Sequence, residues 1–184
     1  MRELVILARQ GDHGAYSELV ARSIGRLTAA ARMILRDEHR AQDAVQDTLV
    51  EMWRSLPGLR DPDRFDAWIH RLLVRACHSR ARREWRRAVV ELRLTPADEP
   101  VTQDAVRTLE IHDQLERGLS RLTPEQRTVL VLAYYVDLPL ADAAQVVGIP
   151  VGTMKSRLNR ATQALRAVIE ADEREPIGPM ERFA

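Results

Sequence analysis

The chain has 184 residues, and its 28 lysines and arginines nearly balance 27 aspartates and glutamates, which gives a formal net charge of +1 at pH 7. With 45% hydrophobic and 30% charged residues, the composition is neither that of a disordered chain nor that of a membrane-embedded one, and no apolar run reaches the ~18 residues of a spanning helix. A single cysteine and the lack of a secretory signal predict a reducing, cytoplasmic location without membrane insertion.

Helical periodicity runs through most of the sequence, and strand signals are scarce. Aromatic residues make up only 4% of the chain, which favours helix packing over a sheet sandwich. The sequence therefore predicts an all-α fold. In the first half, apolar spacing and turn residues predict helices over Arg2–Gln10, Gly14–Leu35, Glu38–Ser55 and Arg64–Arg87.

The stretch Ala88–Thr102 loses amphipathic spacing and predicts a domain boundary. After it, helices are predicted over Asp104–Ser120, Pro124–Tyr135, Leu140–Val147 and Thr153–Ala171, and Thr123-Pro124-Glu125-Gln126 has the form of a capping box. We expect two small helical domains, residues 1–88 and 104–171, joined by an extended linker at 89–103. A flexible tail is predicted at 172–184.

In the second half, a short apolar helix ends at Gly148 and a longer helix follows, which is the pattern of a helix-turn-helix. One stripe of the longer helix is apolar, and no acid occurs between Thr153 and Val168. The opposite side carries Lys155, Ser156, Asn159, Arg160, Gln163 and Arg166. Such a face suits phosphates and base edges in the major groove, although a solvated amphipathic face has the same pattern.

The helix predicted at 64–87 is strongly basic. It contains eight arginines and two acids, a local charge of +6, so the other residues together carry −5. An arginine ridge with interleaved tryptophans suits a single strand or a melted duplex, and a solvated helix with tryptophans in the core is the alternative. The ridge consists of Arg64, Arg71, Arg75, His78 and Arg82, with Trp68 and Trp85 nearby.

The preceding helix has an apolar stripe that can face the core and an acidic face that points elsewhere. The acidic face comprises Asp43, Gln46, Asp47 and Glu51. It would repel DNA, so it is either a solvated surface or a docking surface for another protein.

These motifs together resemble the extracytoplasmic-function (ECF) sigma factors, small bacterial transcription initiation factors that keep only sigma regions 2 and 4. Asp43–Leu49 is similar to the family's segment that binds the polymerase, and Phe65–Ile69 is similar to the start of its minus 10 helix. Leu122–Arg127 and Gly148–Leu158 are close to its region 4 signatures. Leu49 stands where phenylalanine is usual.

The resemblance implies binding to core RNA polymerase, through the β′ clamp helices and the β flap. It also implies reading of duplex minus 35 DNA and single-stranded minus 10 DNA, and an anti-sigma partner. The implied polymerase-binding residues are Asp43, Gln46, Asp47 and Glu51. The implied minus 10 residues are Arg60, Asp61, Arg64, Trp68, Arg71, Arg75, His78 and Arg82. The implied minus 35 residues are Lys155, Ser156, Arg157, Asn159, Arg160 and Gln163.

The resemblance further implies that the loop around Leu59–Asp63 captures a flipped base and that the linker runs toward the RNA exit channel. Arg75 and Ser79 stand where the family often has Asn and Asp, so the minus 10 preference is expected to differ.

Two other functions are compatible with parts of this pattern. A dimeric helix-turn-helix regulator would bind palindromic operators without polymerase, but it leaves the basic aromatic helix unexplained. A nucleic-acid enzyme is disfavoured because the five histidines form no HExxH motif and Cys77 has no CxxC partner. We expect no catalytic residue, metal or cofactor. The near-neutral total charge further predicts weak nonspecific DNA binding by the free protein.

Overall fold

A computed structural model describes residues 1–91 and 109–174, with side chains described in 1–83 and 115–171. All regular elements in these ranges are helical, which confirms the predicted all-α fold. The α-helices are α1 (Arg2–Arg9), α2 (His13–Leu35), α3 (Glu38–Ser55), α4 (Phe65–Glu91), α5 (Leu109–Ser120), α6 (Pro124–Leu130), α7 (Leu140–Val147) and α8 (Val151–Arg174). Among the described residues, no helix is both long and apolar enough to cross a membrane.

Helices α1 to α4 form the N-terminal domain, in which α3 packs against both α2 and α4. Carboxylates fix two of the helix starts, because Asp12 accepts a hydrogen bond from the amide of Ala15 and Asp37 accepts one from the amide of Arg40, each at 2.8 Å. The apolar stripes predicted for α3 and α4 face the core, where Met52, Phe65 and Ile69 are almost completely buried.

Between α3 and α4 the chain makes two short 3₁₀ turns, Leu56–Gly58 and Pro62–Arg64. Leu59, which lies between them, is buried and anchors the connection to the core. Pro57 is the second residue of its turn and Pro62 the first of the other, positions whose amides have no partner within the turn, so the missing amide costs nothing. The connection is therefore an ordered loop that leads directly into α4.

Helices α5 to α8 form the C-terminal domain, in which α8 packs against α5, α6 and α7. The predicted capping box at Thr123 is present, with the Thr123 hydroxyl accepting from the amide of Gln126 and the Gln126 side chain accepting from the amide of Thr123. Helix α7 ends at Gly148, whose φ of 77° is a left-handed conformation that glycine adopts without strain.

Several predicted boundaries need correction. Helix α4 continues to Glu91, beyond the predicted domain end at residue 88, and α8 continues to Arg174, past the predicted start of the tail. The predicted helix Pro124–Tyr135 is α-helical only to Leu130 and ends in a π turn, Val131–Tyr135. Most of the predicted linker and tail lie outside the described residues.

The two domains pack against each other through α2 with α6 and through α4 with α7. The most buried polar link is Arg127, only 7% exposed, whose Nε donates to the carbonyl of Ile34 at 2.6 Å. The same guanidinium donates from Nη1 to the carbonyls of Leu119 and Leu122, at 3.1 and 2.8 Å. Arg127 therefore ties the C-terminal end of α2 to the turn that precedes α6.

Candidate nucleic-acid and polymerase interfaces

Helix α8 presents the predicted duplex-reading residues at its surface, most of them on the side opposite its buried stripe and Arg157 at the edge of that stripe. Met154 and Ala161 are completely buried beneath it and fix its rotation against α6 and α7. The candidate residues Lys155, Ser156, Arg157, Asn159, Arg160 and Gln163 are all exposed. The structure thus brings the whole predicted set together on the second helix of a helix-turn-helix.

Local contacts order part of this face. The hydroxyl of Ser156 donates to the carbonyl of Thr153 at 2.9 Å, and Nε of Arg160 donates to the carbonyl of Ser156 at 3.3 Å. Arg157 and Arg160 also line a depression with Glu125 and Gln126 from the first turn of α6. The first turn of α8 contains no acidic residue, so the positive end of its helix dipole is not neutralised locally.

Five of the eight predicted minus 10 residues line a cavity of about 240 Å³ at the start of α4. Arg60, Asp61 and Arg64 line it from the loop, and Trp68 and Arg71 line it from α4. Trp68 is only partly buried and packs against Phe65, with ring centroids 6.0 Å apart. The indole therefore contacts the core through Phe65 and also borders the cavity.

The remaining predicted ridge residues lie farther along α4. Arg75 and Arg82 are exposed, whereas His78 is half-buried. The side chain of Trp85 lies outside the described residues.

Arg64 and His78, both predicted minus 10 residues, contact the C-terminal domain. Nη2 of Arg64 pairs with the carboxylate of Asp142 and donates to Oε1 of Gln145 at 2.8 Å. Nε2 of His78 lies 3.0 Å from the hydroxyl oxygen of Thr128. Since that hydroxyl donates its own proton to the carbonyl of Pro124, it accepts from His78.

Burial changes the protonation of two histidines on α4. It lowers the pKa of His78, which Arg82 lowers further and Glu125 opposes. It also lowers the pKa of His70, whose Nδ1 donates to the carbonyl of Asp66 at 2.7 Å and whose Nε2 is buried without a partner. Both rings are therefore held in the neutral form, so His78 adds hydrogen-bonding capacity to the ridge and no charge.

The acidic face of α3 is exposed as predicted, but a residue of α4 organises it. Nη1 of Arg80 donates to Asp43 at 2.7 Å, and Nη2 donates to Asp47 at 2.5 Å. The Arg80 side chain is 21% exposed, whereas those of Asp43 and Asp47 are 55% and 57% exposed. One partly buried guanidinium therefore holds two outward-facing carboxylates one helical turn apart, while Gln46 and Glu51 are exposed beside them.

The sequence interpretation missed Arg80, Arg127 and Asp142. Arg80 lies off the ridge defined by periodicity, and the partners of Arg127 and Asp142 are remote in sequence. In the sequence, Arg127 was marked only as part of the Leu122–Arg127 motif. That motif indicates similarity to region 4 but does not predict that the Arg127 side chain is buried.

Comparisons with known proteins match both domains. Residues 19–87 match the family described as Sigma-70 region 2, and residues 112–165 match Sigma-70 region 4. The ECF RNA polymerase sigma factor SigM of Mycobacterium tuberculosis is 31% identical over 169 residues, which cover 91% of this chain and 83% of SigM.

The chain is also similar to the RNA polymerase sigma factor CnrH of Cupriavidus metallidurans, at 32% identity over 93% of this chain and 95% of CnrH. The structure of CnrH in complex with the cytosolic domain of CnrY superposes with a TM-score of 0.66 at 30% identity, over 93% of this chain and 97% of that one.

A sigma factor RpoE solved with the anti-sigma factor NepR from Bartonella quintana shares the fold, with a TM-score of 0.71 at 24% identity over 85% of this chain and 98% of that one. These matches cover both domains and favour an initiation factor over an isolated helix-turn-helix regulator. Sigma factors are regulatory subunits and not catalytic ones. The protein described here belongs to the ECF RNA polymerase sigma factors, and as such it is a transcription initiation factor that binds RNA polymerase.

Proposed function

We propose that this sigma factor directs core polymerase to promoters by reading duplex minus 35 DNA with α8 and holding melted minus 10 DNA at the start of α4. The observation that carries the proposal is the acid-free, exposed face of α8 between Lys155 and Gln163, which is anchored from below by Met154 and Ala161. A helix of this kind fits the major groove, where Asn, Gln and Arg distinguish base pairs through their edges.

The minus 10 assignment is supported by the chemistry around the cavity. Arg60 and Arg71 supply positive charge for a phosphate backbone, and Trp68 supplies an aromatic surface on which a base can stack. Asp61 supplies acceptors for the amino groups of a base edge, although it also accepts from the amide of Asp63 at 3.0 Å. This combination suits an extruded base better than a paired duplex.

The acidic face of α3 supports a polymerase-docking role for Asp43, Gln46, Asp47 and Glu51. Two carboxylates held at fixed spacing are complementary to a basic helical surface, and we assign this face to the β′ clamp helices. The relatives CnrH and RpoE were solved with CnrY and with the anti-sigma factor NepR, and we propose that an anti-sigma factor likewise restrains this chain.

Selection of promoters from random DNA by the reconstituted holoenzyme tests the proposal. Asn159→Ala should relax the preference at one minus 35 position, at a cost of ~1–3 kcal/mol in discrimination. Lys155→Ala should weaken binding evenly across sequences and reduce the salt dependence by about one phosphate contact.

Arg166→Ala removes an exposed arginine about two turns beyond Asn159 on the same side of α8, and because an arginine there can contact only phosphates, it should leave the base preference unchanged. Selected promoters without a common upstream element, or an unchanged preference in Asn159→Ala, would refute the α8 assignment.

A further inference from the structure

Helix α1 lies along the α3–α4 loop, residues 56–64, which supplies part of the proposed minus 10 site. It packs against α2 and against both 3₁₀ turns of this loop. Val5 and Ala8 are the buried residues of α1, and Val5 is completely covered. The C-terminal end of α1, at Ala8 and Arg9, borders a depression that the first turn of the loop also lines. The helix therefore supports the loop along its length.

The N-terminal end of α1 is linked to the second turn by charge. Nε of Arg2 lies 3.3 Å from Oδ2 of Asp63. The amide of Asp63 donates to Oδ1 of Asp61 at 3.0 Å, and the amide of Arg64 donates to the carbonyl of Asp61 at 3.2 Å. Because Asp61 lines the minus 10 cavity, a chain of polar contacts leads from Arg2 to a carboxylate that the proposed function assigns to a base edge.

Helix α1 is not itself part of the cavity wall. The described residues that line the cavity come from the α3–α4 loop, from α4 and from α7. Helix α1 also precedes residues 19–87, the range that matches Sigma-70 region 2. An effect of α1 on the minus 10 site must therefore act through the loop.

We propose that α1 is a positioning element of the minus 10 site, which holds both turns of the loop so that Arg60 and Asp61 are in place before DNA binds. The inference rests on the proposed minus 10 function. A loop that is ordered only on binding loses affinity to the entropy of ordering, whereas a preorganised loop does not. A fixed loop also leaves polar groups unpaired when the wrong base enters, whereas a loosened loop can adjust to it. Helix α1 thereby determines how strictly one base is selected, without contacting DNA.

The test uses the full chain assembled with core polymerase and a set of promoters that differ in one minus 10 base. The ratio of open-complex formation rates between the preferred base and the others measures discrimination. Val5→Ala loosens the packing of α1, and Val45→Ala is the matched control because it makes the same truncation at a buried site in α3. Hydrogen exchange in a peptide covering residues 56–64 of the free protein reports the order of the loop without DNA.

A second pair of variants tests the charged contact. Arg2→Gln removes the ion pair with Asp63, and Arg22→Gln is its control, since Arg22 is also an exposed arginine and pairs with Glu18 on α2. We expect Arg2→Gln to lower discrimination about 1.5- to fivefold, the range available to one exposed ion pair, and Val5→Ala to lower it further. Both variants should exchange faster than their controls in the loop peptide. Arg2→Asp combined with Asp63→Arg should restore discrimination towards that of wild type.

Equal discrimination in Val5→Ala and Val45→Ala overturns the proposal, and so does equal exchange in the loop peptide. Equal discrimination in Arg2→Gln and Arg22→Gln overturns the part assigned to the ion pair.

Failure of the proposed minus 10 function gives a different result. Asp61→Asn removes a charge from the cavity wall but keeps an oxygen that accepts from the amide of Asp63. If the cavity does not select a base, Asp61→Asn leaves discrimination unchanged, while Val5→Ala still speeds exchange in the loop. The exchange measurement contains no DNA, so it reports the support of the loop by α1 separately from the function of the cavity.

Discussion

Replacing Arg127 with methionine tests whether the buried guanidinium holds the C-terminal domain together. Arg127 makes three hydrogen bonds, and its replacement leaves the carbonyls of Ile34 and Leu122 without their donor, whereas the carbonyl of Leu119 still accepts from the amide of Leu122 at 3.2 Å. Each buried carbonyl left unsatisfied costs ~1–3 kcal/mol. Burial also lowers the pKa of Arg127, which shows that desolvation opposes the charged form, so part of this loss is recovered when the charge is removed.

We therefore use the lower limit for each of the two carbonyls and expect Arg127→Met to lower the free energy of unfolding of the C-terminal domain by about 2 kcal/mol. For a domain of 60 to 100 residues this corresponds to a decrease in Tm of roughly 8 to 16 °C. Hydrogen exchange measured on peptides from α6 and α8 reports this domain separately from α1 to α4. Arg127→Lys keeps the charge but lacks the planar set of donors, so it should fall between wild type and Arg127→Met.

Arg166→Met is the control, since it removes an exposed arginine from the same domain. It should change stability by less than about 0.5 kcal/mol. Exchange rates for Arg127→Met that match those of wild type, or equal losses in the two variants, would refute the assignment of Arg127 as a stabilising link.

Three further predictions follow from contacts of individual residues. Arg80→Gln should weaken core polymerase binding severalfold, because Asp43 and Asp47 then repel each other without their shared cation. Arg83→Gln, also on α4, is the control. An affinity of Arg80→Gln for core polymerase equal to that of wild type contradicts the prediction. Burial lowers the pKa of His70, so the stability that its neutral form contributes is present above about pH 6.5 and is lost as the pH falls. His70→Met should therefore reduce the loss of unfolding free energy at acid pH. His39→Gln, at an exposed site, is the control and should leave that loss unchanged. Gly148→Ala should destabilise the protein by ~1–2 kcal/mol in thermal unfolding because its φ is left-handed, whereas Gly152→Ala in α8 should be neutral or stabilising.

The elements that could be predicted from sequence are those set by local chemistry. The capping box at Thr123 and the stop at Gly148 depend on neighbouring residues, and both are present. The faces of α3, α4 and α8 follow from helical periodicity, and the predicted apolar stripes are buried or partly buried. The similarity of its motifs to those of ECF sigma factors predicted the family, and the comparisons confirm it.

The remaining features depend on contacts between distant residues. An arginine at position 127 is expected at the surface by composition, and only the approach of α2 supplies the Ile34 carbonyl that helps to bury it. The engagement of Arg64 likewise requires α7, 78 residues farther along the chain. Periodicity assigns a side chain to a face of its own helix, but it does not determine which other helix covers that face.

The burial of Cys77 has a practical consequence for studies of this sigma factor. Its side chain is completely buried in α4, and burial raises the pKa of the thiol to about 12, so at neutral pH almost no thiolate is present to react. Alkylating reagents therefore reach it only when α4 leaves the core. Because the sequence contains one cysteine, the rate of alkylation of the unmodified protein reports opening of the N-terminal domain alone. The alkylation rate of Cys77 therefore measures the unfolding of one of the two domains without any added label.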